Sequence, residues 1–433
     1  MVDPPPPPAA ADLVDPSVAP PAPAGSSSTR VHHLDALRAA AMLLGIVLHA
    51  AIEFLPYYRA GDAGNTVLEG LFLVIHGFRM PLFFLLSGFF TAMVWRRRGT
   101  RGLLGQRLRR IGLPLLAGVV TILPALIVAG LLGWVIASQF DGPAVEEFVS
   151  AADGDGDGAD DGGGFSFAHL WFLWMLLWLV AGFVAVVEVG RAVARTGGGR
   201  QQRPSRPAPS AVPAMRAVAL VSLPLLSVLP QLAMREPIFG PDTSDGLLPA
   251  PHVLAFYATF FAFGAVAFPP PRANTSVRAD TLTTIGRRWP LWLALSAAST
   301  PLGLPMSAVE DPSRPTVVGS AVLQVAFAWL ASAGLLGLFA ARLSRPRFAA
   351  RYLSDASYWM YLVHLPIVLF FQGVVVWIPV PTMVRFALIV VVTTVVLLLS
   401  YHWLVRYTGV GWLLNGWRRR EDDRQLRASM GQW

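Results

Sequence analysis

Cysteine is absent from all 433 residues, which excludes disulfides, thiolate metal sites and cysteine nucleophiles. Lysine is absent too. All 34 cationic residues are arginine, so the net charge of +8 rests on groups that stay protonated at any physiological pH, and charge regulation by lysine chemistry is excluded. Charge of either sign is scarce, at 14% of residues where a soluble domain carries about 25%. There is no Walker-type glycine loop, no G-x-S-x-G elbow, no histidine pair at metal-ligand spacing and no internal duplication of the kind that marks many transporters. The basic clusters carry no interleaved aromatics, so nucleic acid is not an expected partner. What fills the chain instead is apolar: 54% hydrophobic side chains and a mean hydropathy of +0.54 place it in a lipid bilayer.

A helix needs about 20 apolar residues to cross the hydrocarbon. Ten stretches qualify, at 36–56, 68–95, 111–136, 170–188, 214–234, 251–268, 288–305, 317–341, 357–378 and 382–404. The connections alternate in charge. Segment 96–110 carries seven arginines and no acid, whereas 137–168 carries eight acids and no base. The positive-inside rule then makes the N-terminus, 96–110, 189–216, 269–288, 342–356 and the arginine-rich C-terminus cytoplasmic. The expected fold is all-α and polytopic, with about ten transmembrane helices and both termini in the cytoplasm. In a bacterium this is a multi-pass protein of the inner (plasma) membrane. Residues 1–30, rich in Pro and Ala, read as a disordered tail, 31–406 as the transmembrane domain and 407–433 as a basic cytoplasmic tail. Two low-complexity inserts interrupt the pattern, at 153–164 and 195–213. The first opens like a calcium loop, D-x-D-x-D, but lacks the closing Glu and reads as a solvated acidic loop.

An ionisable side chain inside a bilayer is costly, so one that persists there is a functional candidate. His49 lies eleven residues after Arg38, roughly 16 Å up the first helix and near mid-membrane, while Arg38 stays near the cytoplasmic face. The second span carries His76 and Arg79 just before the run 80–90, where Pro81 and the pair Ser87 and Gly88 are expected to interrupt the helix where it lines a cavity. The alternative for that run is a kink with small residues packed against a neighbour. Arg107 and Arg110 lie three apart at the foot of the third span, hence on one helical face, with Arg109 offset from them. Their planar guanidinium donors suit phosphate, although any inside loop collects arginine for topology alone. His169 and Trp171 open the fourth span and His364 lies in the ninth, amid Trp and Tyr residues that read as an ordinary interfacial belt. Taken singly, each histidine is compatible with a hydrogen-bonded place inside the bundle.

Taken together, these segments resemble the acyltransferase-3 family of integral membrane O-acyltransferases from residue 30 to about 406. Arg38, ten intervening residues and His49 are similar to the family's first-helix signature. Residues 81–90 are similar to its P-L-F-F-x-x-S-G-F-F stretch, Arg107 and Arg110 to its arginine pair before the third helix, and 358–366 to its Y-W-x-Y-L-x-H-x-P segment. The wording around His76 and Arg79, and the run from His169 through Trp171, is similar to the glucan biosynthesis protein C branch, whose members are described as succinylating periplasmic glucans.

The resemblance implies transfer of an acyl group from a cytoplasmic acyl-CoA, acetyl-CoA or succinyl-CoA, to a hydroxyl of a glycan or glycolipid presented outside, without a metal. An alcohol is a poor nucleophile until a base takes its proton, and neutral imidazole suits that task. The roles implied are His49 as general base, Arg38 as a nearby cation held by Asp35, and Arg107 with Arg110 for the coenzyme A phosphates. His76, Arg79, Ser87, His169, Trp171 and His364 are left for the acceptor or, with a succinyl donor, its free carboxylate. Two other readings stay open from the residues alone: a proton-coupled transporter or exporter working through His49 and Arg38, and a membrane scaffold whose buried polar groups specify packing.

Overall fold

The structure, a computed structural model, describes residues 32–55, 63–153, 165–196, 211–235, 238–268, 280–309, 311–344 and 348–415. The expected tail 1–30, residues 154–164 and 197–210 of the two inserts, and the chain after 415 lie outside them. No strand occurs among the described residues, and one isolated antiparallel bridge pairs Ser166 with Gly246. The helices in chain order are α1 (His32–Ile52), α2 (Ala63–Arg107), α3 (Leu113–Ala137), α4 (Pro143–Asp153), α5 (Trp171–Thr196), α6 (Ala211–Leu226), α7 (Val228–Gln231) and α8 (Pro251–Ala267). They continue with α9 (Asp280–Gly286), α10 (Trp289–Ser307), α11 (Arg314–Arg342), α12 (Phe348–Val375), α13 (Thr382–Ser400) and α14 (Gly409–Asn415).

Among the described residues, seven helical stretches are long and apolar enough to cross a membrane. One of them, Asn65–Ala137, holds 73 residues. At 1.5 Å per residue it would reach about 110 Å if straight, several times the thickness of a bilayer core. It bends at Gly99, whose φ of 67° favours glycine, and passes into α3 through a π-helical turn at Leu108–Gly112. The expected interruption at Pro81, Ser87 and Gly88 is corrected, because α2 stays helical through all three. Gly88 serves packing instead: a Cβ there would overlap the Phe261 carbonyl of α8, and one on Gly264 would overlap the Leu85 carbonyl of α2. Two helices crossing this closely need glycine on both sides.

Outward faces carry exposed apolar side chains such as Val120, Val186 and Leu225, the reverse of a soluble protein and what lipid contact requires. The most extensive packing joins α10 to α11, α2 to α8, and both α1 and α3 to α12. One expectation changes here. Segment 137–168, read as an acidic connection, contains α4, whose Val145 packs with Ala137 and Val376 while Phe148 and Val149 join one helical turn on. His49 lies in the last turn of α1, which ends at Ile52.

Candidate active site

Four helices converge on one cavity of about 370 Å³. His49 enters from α1, His76 and Arg79 from α2, His169 from the 3-10 turn Ala168–Leu170 that leads into α5, Trp171 from the first residue of α5, and Tyr361 and His364 from α12. Segment 238–245, between α7 and α8, adds Ile238, Thr243 and Asp245. Six side chains expected to work at the site are thereby gathered from positions as far apart as 49 and 364.

The imidazoles are packed rather than scattered. The His364 ring lies 5.1 Å from His49 and 5.2 Å from His169, centroid to centroid. His169 Nε2 donates to the Leu362 carbonyl at 3.0 Å, and His364 Nδ1 donates to the Tyr361 carbonyl at 2.7 Å. A carbonyl cannot donate, so each of these nitrogens carries the proton of the neutral ring, and the other nitrogen is left as an acceptor. Those remaining atoms, His169 Nδ1 and His364 Nε2, are buried and make no hydrogen bond among the described residues. His76 stacks on Phe72 at 5.5 Å and donates through Nε2 to the Pro241 carbonyl at 3.0 Å.

Arg79 sits beside His49 because Gly45 makes room for it. Gly45 and His49 are one turn apart on one face of α1, and a Cβ on Gly45 would lie 2.6 Å from Arg79 Nη1 and 4.0 Å from His364 Nε2. The Arg79 Nε is buried without a hydrogen bond, and no carboxylate among the described residues pairs with this guanidinium. Its electrostatic neighbours are the phenols of Tyr257 and Tyr361 and the ring of His49. A buried cation with no built-in counter-ion is costly unless something anionic visits it.

The aromatic residues around His169 and His364 are not an interfacial belt. Tyr361 donates from its hydroxyl to the His169 carbonyl at 2.8 Å, joining α12 to the start of α5. Trp171 is buried against Phe84 and Tyr257. Gln372 adds a further tie, donating from Nε2 to the His49 carbonyl at 3.2 Å.

The remaining expected residues lie elsewhere. Arg38, Asp35, Arg107, Arg110 and Ser87 do not line the cavity. Arg38 and Asp35 form an ion pair at 3.9 Å with side chains 39% and 23% exposed, so the expected contact between them exists but away from His49. Arg107 lies within electrostatic range of both Arg38 and Arg110, so these three form one cluster at the α1 start and the α2–α3 junction. Arg107 donates through Nη2 to Thr91 at 2.7 Å, and the Arg110 carbonyl accepts from the Tyr358 hydroxyl at 2.7 Å. Arg109 stacks on Trp412, 3.8 Å from the ring centroid. Sequence reasoning missed Gly45, Tyr361, Thr243 and Asp245. Gly45 had a signal, a glycine one turn before a buried histidine, whereas Asp245 had none.

Residues 31–402 match the acyltransferase-3 family model, described as an acyltransferase domain. Among curated proteins, the chain is similar to glucans biosynthesis protein C of Salmonella gallinarum, 28% identical over 355 residues that cover 79% of this chain and 83% of that protein. It is similar at 27% identity and the same coverage to the proteins of that name from Salmonella paratyphi B and Salmonella typhi. No solved structure matches the chain.

Proposed function

The chain belongs to the acyltransferase-3 family and is a membrane-embedded enzyme that transfers acyl groups, and from that premise we propose that it moves an acetyl or succinyl group from a cytoplasmic acyl-CoA to a hydroxyl of an extracytoplasmic glycan or glycolipid. The observation that carries this reading is the pairing of His49 with an unpaired buried guanidinium, Arg79, in one cavity with two further imidazoles. In the reading, Asn65–Ala137 crosses twice, and Pro251–Ala267 and Trp289–Ser307 each cross once, which brings the seven apolar stretches to ten crossings with both termini inside. Residues 31–406 then form the transmembrane domain of an inner-membrane protein, flanked by cytoplasmic tails.

The chemistry follows from charge development. His49 takes the proton of the acceptor hydroxyl as its oxygen bonds to the thioester carbonyl carbon. The carbonyl oxygen becomes an oxyanion, and Arg79 supplies donors and positive charge in a water-poor site where both count most. Collapse breaks the carbon–sulfur bond, and His49 returns the proton to the departing thiolate. With a succinyl donor, the free carboxylate is a second anion suited to Arg79. Arg107, Arg110 and Arg38 hold the donor's phosphates at the cytoplasmic end, where the half-buried Arg107 and exposed Arg110 are within each other's field. Eleven residues of α1 separate Arg38 from His49, roughly 16 Å, a gap that the pantetheine arm is long enough to cross.

The test is release of free thiol by the full-length protein in detergent, given acetyl-CoA or succinyl-CoA with a soluble glucan oligosaccharide. The chain contributes no cysteine background. Thiol release that depends on His49 and prefers one donor supports the reading, whereas no turnover of either donor overturns it.

A further inference from the structure

One residue in the cavity wall breaks a backbone rule. Ala168, in the turn that leads into α5, holds φ at 46°, in the left-handed region that glycine takes freely and a residue with a Cβ does not. The other non-glycine residue with a positive φ among the described residues, Asp311, lies between α10 and α11 and does not line the cavity. Such strain persists only where the surroundings over-determine it.

Here they do so from two sides. Segment 238–248 is a strap between α7 and α8 that three helices fix in place. Its Gly240 N–H donates to Gln324 Oε1 of α11 at 2.8 Å, its Pro241 carbonyl accepts from His76 Nε2 of α2 at 3.0 Å, and its Leu247 carbonyl accepts from Trp174 Nε1 of α5 at 2.9 Å. The strap grips the near end of the strained turn. The Asp245 carbonyl accepts from the Phe167 N–H at 2.8 Å, its carboxylate accepts from the Ser166 hydroxyl, and Ser166 Oγ accepts from the Ala168 N–H at 3.0 Å. Helix α12 grips the far end, where the Tyr361 hydroxyl donates to the His169 carbonyl at 2.8 Å and the Leu362 carbonyl accepts from His169 Nε2 at 3.0 Å.

Tyr361 orders two imidazoles at once, because its own carbonyl also accepts from His364 Nδ1 at 2.7 Å. The His169 ring stands edge-on to His364 at 5.2 Å, and His364 in turn backs His49 at 5.1 Å. Without the phenol hydroxyl, Ala168 keeps its strain but loses the α12 tie on the next residue's backbone. The turn can then relax to an ordinary negative φ, which swings His169 out of register with the rings that back His49. Displacements of this size at a reacting group are costly in rate.

We propose that Tyr361 is a positioning residue whose hydroxyl holds the strained turn at Ala168 and thereby sets His169 against His364 and His49. The assignment rests on the acyl-transfer reading for its purpose, but one of its two readouts needs no turnover.

Tyr361→Phe removes the hydroxyl and keeps the ring that packs against His169, His364 and Phe172. In the full-length protein in detergent it is expected to lower kcat at least tenfold, with the KM for acyl-CoA within twofold of wild type. With no substrate present, modification of His169 by diethylpyrocarbonate, read by peptide mass spectrometry, is expected to rise at least fivefold, because Nδ1 is buried only while the turn holds. Ala168→Gly added to Tyr361→Phe should recover at least threefold in kcat and bring the labelling back towards wild type, since glycine takes φ 46° without the tie. A loss due to ring packing or to chemistry at the phenol itself would not respond to a change at Ala168. Wild-type labelling of His169 in Tyr361→Phe, or a double variant no better than the single one in labelling, overturns the proposal. If the labelling behaves as expected while no acyl-CoA is turned over by the wild type, the positioning role stands and it is the acyl-transfer reading that fails.

Discussion

The two ends of α1 hold their polar groups in opposite ways. At its last turn, His49 shares a cavity with rings whose protons are pinned by backbone carbonyls and with a guanidinium seated in the space left by Gly45. At its first turns, Arg38 is 39% exposed and, among the described residues, pairs with Asp35, and Arg110 is exposed. Bond-making needs reacting groups held within about half an ångström of their productive positions, which buried and doubly anchored side chains provide. Phosphate recognition by arginine is an affair of charge and many donors, and it tolerates long side chains in water. On the proposed reading, the difference separates a place for chemistry from a place for grip.

The sharpest way to break that comparison is His49→Ala. Removing a general base costs about 10²- to 10⁴-fold, and the loss should fall on kcat with acyl-CoA affinity unchanged, because the arginine cluster lies roughly 16 Å along the helix. Equilibrium binding of a non-hydrolysable acyl-CoA thioether gives the second number; an equal loss there would mean that the two regions are one site. Arg79→Met should follow, with a drop in kcat of about 10²-fold, the scale of losing an oxyanion donor. Donor affinity should also hold, unless the succinyl carboxylate is what Arg79 grips, in which case succinyl-CoA alone binds more weakly.

Gly45→Ala asks whether placement matters apart from chemistry. The added methyl would lie 2.6 Å from Arg79 Nη1, so the guanidinium must shift while every functional group remains present. About a tenfold fall in kcat is expected, with thermal stability close to wild type, since the far end of a flexible side chain moves and no backbone does. Full activity in this variant would show that Arg79 has no required position.

How much of this was readable beforehand follows from what each feature depends on. The apolar runs were legible because crossing a bilayer is a local demand on length and composition. The bend at Gly99 and the continuity of α2 through Pro81 were not, because a proline in a helix is tolerated or not according to its neighbours. His49, His76, His169 and His364 could each be flagged as polar residues in apolar surroundings, yet their convergence depends on α1 and α12 packing together across more than 300 residues. Asp245 was invisible for a different reason: an aspartate in a Pro/Gly-rich connection looks like any turn, and only the strap's bonds to three helices give it a fixed place.

The arginine side of the comparison is sharpened by two smaller effects. Arg107→Ala with Arg110→Ala should raise the KM for acyl-CoA about tenfold, equivalent to about 1.4 kcal/mol, and leave kcat within threefold; the KM of the wild type should rise with salt more steeply than that of the double variant, because screened charge is what the variant has lost. Arg109 supplies the internal control. It lies between those two residues in sequence and carries the same charge, but its guanidinium is 3.8 Å from the Trp412 ring, committed to a cation–π contact. Arg109→Ala should therefore change KM by less than twofold while lowering stability slightly through the lost stacking. If it weakened acyl-CoA as much as its neighbours did, the cluster would act by total charge alone, and no particular arginine would have a place in donor binding.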